Sequence, residues 1–243
     1  MSKSTKGEAK LIRRVDRLWE DEERRRPGPK PALDTDQIVE RAVGIADRRG
    51  LPAVTMNRVA HELGFTTMAL YRHLNGKAEL LDRMLEEAVG RPPEMDPERG
   101  WRANLETWAR ANLAIFQRHP WAFHAAVTPT VFGPNRLAWL EAALSALSDT
   151  GMPPAEMMAT VSLVDDLVRG AAQVLLILDA NPQFNECLAR AMVRAEQEGG
   201  YPTLARLGTR FLEDDSGDYF EFGLQRVLDS LEASLADPRP TSR

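Results

Sequence analysis

The chain has 243 residues, a net charge of −5 and a single cysteine. That length suffices for one or two domains with a full core, and a lone Cys187 excludes an intrachain disulfide framework while suiting a reducing compartment. No apolar N-terminal segment resembles a signal peptide. The best membrane candidate, residues 161–178, is interrupted by Asp165, Asp166 and Arg169, so the expectation is a buried helix of a cytoplasmic protein with no membrane partner. The charge is unevenly divided. Residues 1–90 hold 17 Lys+Arg against 15 Asp+Glu, a balance of +2, and the remainder holds 14 against 21, a balance of −7. The first part can therefore bind phosphates if its cations face one way.

In chain order, residues 1–34 are polar and mixed in charge. Leu11, Ile12, Val15, Leu18 and Trp19 follow helical spacing and allow a short amphipathic helix. Arg24-Arg25-Arg26 then meets Pro27-Gly28-Pro29-Lys30-Pro31, which cannot be helical because each proline restricts itself and its predecessor. From Asp34 or Thr35 a helix runs to about Arg49, with Ile38, Val39, Ala42, Val43 and Ala46 on one side and Gly50 at its end. Thr55 is suited to cap the next helix, which carries Val59 and Leu63 inward and stops at Gly64. A second short helix begins near Thr66 or Thr67, carries Leu70 inward and ends at Asn75-Gly76. Lys77 opens a third, with Leu80, Leu81, Met84 and Leu85 as its apolar face, and Phe65 and Met68 are further candidates for this small core. Two short helices joined by a glycine turn describe a helix-turn-helix, a DNA-reading head.

The segment from Gly90 to Pro97, rich in proline, breaks the chain. The expected organisation is therefore an extension over 1–34, the head over 35–90 and a larger helical body over 91–243. The body reads as helices over residues 101–118, 121–126, 136–148, 154–179, 184–197, a short one from Thr203, and 218–236, with loops at Pro129 to Pro134 and Asp214 to Gly217. No strand, repeat or low-complexity block is evident.

The run from Thr55 to Leu81, with Gly64, Leu70-Tyr71-Arg72-His73, Lys77 and Leu80-Leu81, resembles the signature of the TetR family, the tetracycline-repressor-like regulators. The pattern is dense from Ile38 to Leu85. Beyond it the resemblance rests on the all-helical reading and on the phrases His119-Pro120-Trp121 and Gly133-Pro134-Asn135. It implies an all-α protein: an N-terminal three-helix helix-turn-helix domain followed by a C-terminal helical domain for ligand binding and dimerisation. It also implies a repressor released from a near-palindromic double-stranded DNA operator by a small-molecule effector.

Matched residue by residue, Thr67, Met68 and Ala69 occupy base-facing positions, where threonine can hydrogen-bond a base and apolar groups can press on a thymine methyl. Tyr71 and His73 resemble the family's phosphate-contacting pair. Thr55 and Asn57 reach phosphate or a base edge, and Thr66 and Arg72 complete the outward set. Lys77 adds a cation at a helix N-terminus, which already favours an anion. Each residue has a plainer role beside this one. Tyr71 and Met68 are also candidate core residues, Thr55 is a cap with or without DNA, and His73 and Arg72 are also ordinary surface groups. The extension is either a solvated tail and stiff linker or a basic arm laid in the minor groove.

Two body helices are apolar around most of their circumference: residues 154–179, through Val161, Leu163, Val164, Leu167, Val168, Ala171, Val174, Leu175, Ile177 and Leu178, and 218–236, through Tyr219, Phe220, Phe222, Leu224, Val227, Leu228, Leu231 and Leu235. The resemblance implies that two such helices from each subunit form a four-helix homodimer interface; the alternative is burial within one subunit. The other helices are expected to enclose an effector cavity, with Trp108, Phe116, Trp121, Phe123, His124, Trp139, Met158, Asp165, Arg169 and Gln173 as its candidate lining and Trp101 and Met157 beside them. Aromatic and methionine stripes are more often plain core than pocket wall. Asp165 and Arg169, four apart, are expected to pair, and Cys187 to be a packed small hydrophobe.

No glycine-rich phosphate loop, paired-carboxylate constellation or nucleophile motif is present, so no enzyme activity is expected. No metal or other cofactor is expected either, because His119 and His124 lack the spacing of a helical metal site. The alternative function is an effector-independent DNA-binding, architectural or partner-binding helical protein.

Overall fold

The computed structural model describes residues 3–23, 33–126, 128, 130–209 and 219–236. The Arg24–Arg26 and Pro27–Pro31 stretch, Pro129, the Asp214–Gly217 loop and Asp218 lie outside the described residues. Among those described there is no strand, and twelve α-helices follow one another: α1 Lys3–Glu23, α2 Thr35–Arg49, α3 Met56–Leu63, α4 Thr67–Leu70, α5 Lys77–Val89, α6 Gly100–Arg118, α7 Pro120–Ala126, α8 Pro134–Leu147, α9 Pro154–Ala180, α10 Phe184–Glu198, α11 Pro202–Leu207 and α12 Tyr219–Ala236. No described helix is long and apolar enough to cross a membrane.

The chain divides into two compact units, Met1–Ser162 and Leu163–Arg243. The proline-rich break near residue 90 is present as an irregular link, yet α5 on one side of it packs against α6, α7 and α8 on the other. Head and first body helices thus belong to one packed unit.

Within that unit, local chemistry sets the helix ends. Asp34 and Gln37 form a reciprocal capping box at the start of α2: Asp34 Oδ1 accepts from Gln37 N–H at 2.7 Å, and Gln37 Oε1 accepts from Asp34 N–H at 3.1 Å. Ile38, Ala42, Ile45 and Ala46 of α2, Val59 of α3, Leu70 of α4, Leu74, and Leu80 and Met84 of α5 are buried together as the head core. Phe65 and Met68, counted as candidates for that core, are exposed instead, Met68 by 71%. Both sit past the Gly64 turn, where the chain reverses and carries only Leu70 back inward. In the body part, Trp108 of α6 stacks edge-on against Trp139 of α8 at 5.9 Å, and its Nε1 donates to the Trp139 carbonyl at 2.8 Å.

Far from being a bare tail, the N-terminal extension carries a 21-residue helix, α1, packed along α5 with Leu18 buried. Its apolar positions are few and interleaved with charge, so the spacing of Leu11, Val15 and Leu18 understates its length.

In the second unit, Val164, Val168 and Ala172 of α9 and Phe220, Leu224 and Leu228 of α12 are buried. Gly223 lets α12 approach α9 closely, since a Cβ there would meet Leu167 Cδ1 at 2.8 Å. The apolar residues on the other faces are not covered: Leu163 is 51% exposed, Tyr219 74% and Phe222 64%, with Val174 and Ile177 exposed as well. Among the described residues both helices are thus only partly buried within one subunit. Cys187, expected to be packed, is exposed on α10.

Candidate nucleic-acid interface

The turn between α3 and α4 is made by Gly64, whose φ of 76° is the left-handed conformation that a side chain disfavours. Thr55 caps α3 by accepting from Arg58 N–H at 3.1 Å. Thr66 caps α4 in the same way, from Ala69 N–H at 3.3 Å. Only Thr67–Leu70 is regular α-helix, but the turn continues through Tyr71, His73 and Leu74, whose amides donate to Thr67, Leu70 and Leu70 carbonyls at 3.0–3.2 Å.

Thr55, Asn57, Thr66, Met68, Tyr71, Arg72 and Lys77 are exposed, and Thr67, Ala69 and His73 are partly so. At 47% exposure Tyr71 is not a core aromatic. The ten residues expected to meet DNA thus lie exposed or partly exposed between Thr55 and Lys77, while Leu70 and Leu74 are buried.

What holds this surface in place is a set of buried acids on α5, at positions 79, 82 and 86, which the apolar reading of that helix overlooks. Glu79 Oε2 accepts from the backbone amide of Asn75 at 3.1 Å and from its side-chain Nδ2 at 2.8 Å, tying down the turn that follows α4. Asp82 accepts both Nε and Nη2 of Arg14, at 2.6 and 2.5 Å, and also the Val131 amide at 3.3 Å. Glu86 accepts the amides of Gly133 at 3.0 Å and Asn135 at 2.8 Å, while Asn135 Nδ2 donates back to the Glu86 carbonyl at 2.9 Å. Burial pushes the Glu86 carboxyl above its ordinary value; the Asn135 and Gly133 amides and the Arg136 guanidinium pull the other way without cancelling it.

A second joint lies at the end of α2. Asp47 Oδ1 accepts Trp121 Nε1 at 2.7 Å and is bridged by His119 Nδ1 at 2.8 Å. The phrases His119-Pro120-Trp121 and Gly133-Pro134-Asn135 are thus two of the places where the body grips the head, one on α2 and one on α5. Their partners, Asp47 and Glu86, lie 74 and about 50 residues away in sequence, so no local pattern names them.

The candidate effector residues fall in both units. Trp108 and Trp139 pair with each other, and Trp139 Nε1 also donates to the Gly90 carbonyl at 3.1 Å. Phe116 and Phe123 meet edge-on at 6.0 Å, and Phe123 meets His124 at 5.8 Å. Trp121 and His124 border a surface cleft of about 560 Å³ with Asp47, Leu51, Pro52 and Lys77. In the second unit Arg169 Nε reaches Asp165 Oδ2 at 2.6 Å, and Gln173 is exposed; Met158, earlier on α9, is exposed too. Among the described residues no group of three or more His, Cys, Asp or Glu is placed to hold a metal ion.

Comparison with known proteins places residues 38–84 in the domain described as bacterial regulatory proteins, tetR family, and residues 93–235 in the tetracyclin repressor-like C-terminal domain. The HTH-type transcriptional repressor DrrR1 of Streptomyces coeruleorubidus is 37% identical, over 99% of this chain and 93% of that protein. Apo ActR of Streptomyces coelicolor superposes with a TM-score of 0.70 at 27% identity, covering 86% of this chain and all of that one. ActR in complex with actinorhodin superposes with a TM-score of 0.66 at 26% identity, over 88% of this chain and all of that one.

Proposed function

Because the chain belongs to the tetR family of bacterial regulatory proteins, we propose that it is a cytoplasmic homodimeric repressor that leaves a near-palindromic operator when a small effector binds. The protein is a DNA-binding transcriptional regulator, and the observation that carries the finer reading is the exposed, doubly capped surface from Thr55 to Lys77. Thr67, Met68 and Ala69 face the bases; Thr55, Asn57, Thr66, Tyr71, Arg72, His73 and Lys77 hold phosphate or flank it.

Dimerisation is supported by the apolar residues of α9 and α12 that stay exposed, among them Leu163, Val174, Ile177, Tyr219 and Phe222. A two-fold dimer sets two reading helices about one DNA turn apart, ~34–36 Å. Effector response is supported by the likeness to ActR, a protein solved with actinorhodin bound, and by the gripping of α2 and α5 by body residues. An effector that prefers a poorly spaced pair of heads needs a coupling of only ~1–3 kcal/mol to loosen DNA about 5- to 150-fold. The contacts proposed for it within the first unit are the aromatic pairs Trp108–Trp139 and Phe116–Phe123. Sequencing the genomic fragments retained by the purified protein tests the reading. A shared element with two-fold symmetry is expected, and retained fragments with no common element would overturn it.

A further inference from the structure

Resting on the operator-binding reading above, we propose that α1 is a positioning brace for the reading head, with Arg14 and Arg17 governing operator affinity without touching DNA. The Asp82 side chain is completely shielded from solvent and Arg14 is 13% exposed, so their two-bond pair is a buried ion pair. Removing one partner of such a pair strands the other charge in a medium that solvates it poorly. Asp82 also accepts the Val131 amide, beside the loop that grips Glu86. Arg17 Nη1 reaches Glu79 Oε2 at 2.9 Å, the same oxygen that accepts both Asn75 donors. Arg83, one turn along α5, joins the group by donating to Glu79 Oε1 at 3.2 Å and to the Arg17 carbonyl at 3.4 Å.

The path from α1 to the DNA-facing surface is therefore two contacts long. Arg17 neutralises Glu79, Glu79 holds Asn75, and Asn75 closes the turn behind Tyr71 and His73. In parallel, Arg14 neutralises Asp82 and lets α5 stay seated on the body. With α1 displaced, α5 retains two acids that have each lost an arginine, Asp82 keeping the Val131 amide and Glu79 keeping Asn75 and Arg83. The relief open to it is a shift that exposes them, which moves the Asn75 turn and the reading segment together.

The test measures affinity for an operator duplex and for a nonoperator duplex of equal length, across a salt series, at a temperature where circular dichroism shows every variant folded. Arg14→Gln and Arg17→Gln are each expected to lose about tenfold in operator affinity, with a smaller loss on nonoperator DNA and an unchanged salt slope. Arg14→Gln combined with Asp82→Asn, which removes both charges, is expected to recover folding stability if Arg14→Gln alone is poorly folded, while operator affinity stays reduced. Operator affinity within twofold of native in the folded variants would overturn the brace. So would a salt slope reduced by about one per arginine with equal losses on both duplexes, which is the mark of direct phosphate contact. A native chain that binds neither duplex contradicts the operator-binding reading itself, a separate failure.

Discussion

Glu86 shows how a single buried carboxylate leaves a readable trace. Its folded form keeps a proton to higher pH than its unfolded form, so the native state binds more protons across the interval from the ordinary carboxylate value to the raised one. Stability contributed by this group is therefore lost as pH rises through that interval and is level above it. Thermal unfolding as a function of pH should show Glu86→Gln gaining on the native chain through that interval; parallel curves would contradict it. Gly133 faces the same side chain, and a Cβ there would lie 2.5 Å from Glu86 Cδ. Gly133→Ala is expected to cost about 1–3 kcal/mol by displacing a hydrogen-bonded carboxylate, read as a lowered melting temperature; an unchanged one would show that the loop yields freely. On the DNA side, Tyr71→Phe and Lys77→Ala should weaken operator and nonoperator binding alike, while Thr67→Ala should alter sequence preference by about 1–3 kcal/mol at one base pair. Selection from a randomised duplex pool separates the two behaviours, and a Thr67 variant with native preference would remove that residue from base reading.

At the scale of elements, the helices whose ends carry their own chemistry were legible in the sequence. Asp34, Thr55, Gly64 and Gly76 mark boundaries that the structure keeps within a residue or two, and the Gln37 half of the first cap appears only in the structure. The faces of those helices were less legible, because a face is defined by what lies against it. On α5, Glu79, Asp82 and Glu86 look like a solvated stripe until Arg14, 68 residues earlier in the chain, and Gly133, 47 residues later, are brought to them. Similarly, α1 hides in mixed charge since two of its arginines are ion-pair donors to α5, Arg14 largely covered and Arg17 partly so. On α9 and α12 the difficulty is reversed. Their apolar residues run nearly all round, and among the described residues Leu163, Val174, Ile177, Tyr219 and Phe222 stay exposed. Leu163→Glu or Phe222→Glu should leave the fold of the subunit intact and weaken self-association at least about tenfold. Sedimentation against concentration would show it; a native sedimentation profile in both variants would place the interface elsewhere.

For the whole molecule, the global charge of −5 conceals a division of labour, with +2 in residues 1–90 and −7 beyond. The acidic body disfavours contact with the duplex and leaves the phosphate-facing edge to the head, so operator affinity should fall steeply with salt. The helix-turn-helix domain was legible because its signature is contiguous, from Thr55 to Leu81. An effector site assembled from side chains far apart in sequence has no such signature, and four of the aromatic residues marked for it are engaged with one another in pairs. Two copies of the head, presented together by paired bodies, are what the proposed function requires. The most direct measurement is a hydroxyl-radical footprint of the native chain on a genomic element it retains, taken at low ionic strength. Two protected half-sites related by a two-fold axis and centred ~34–36 Å apart are predicted; a single protected patch, or a duplex left unprotected by a lone subunit, would contradict it.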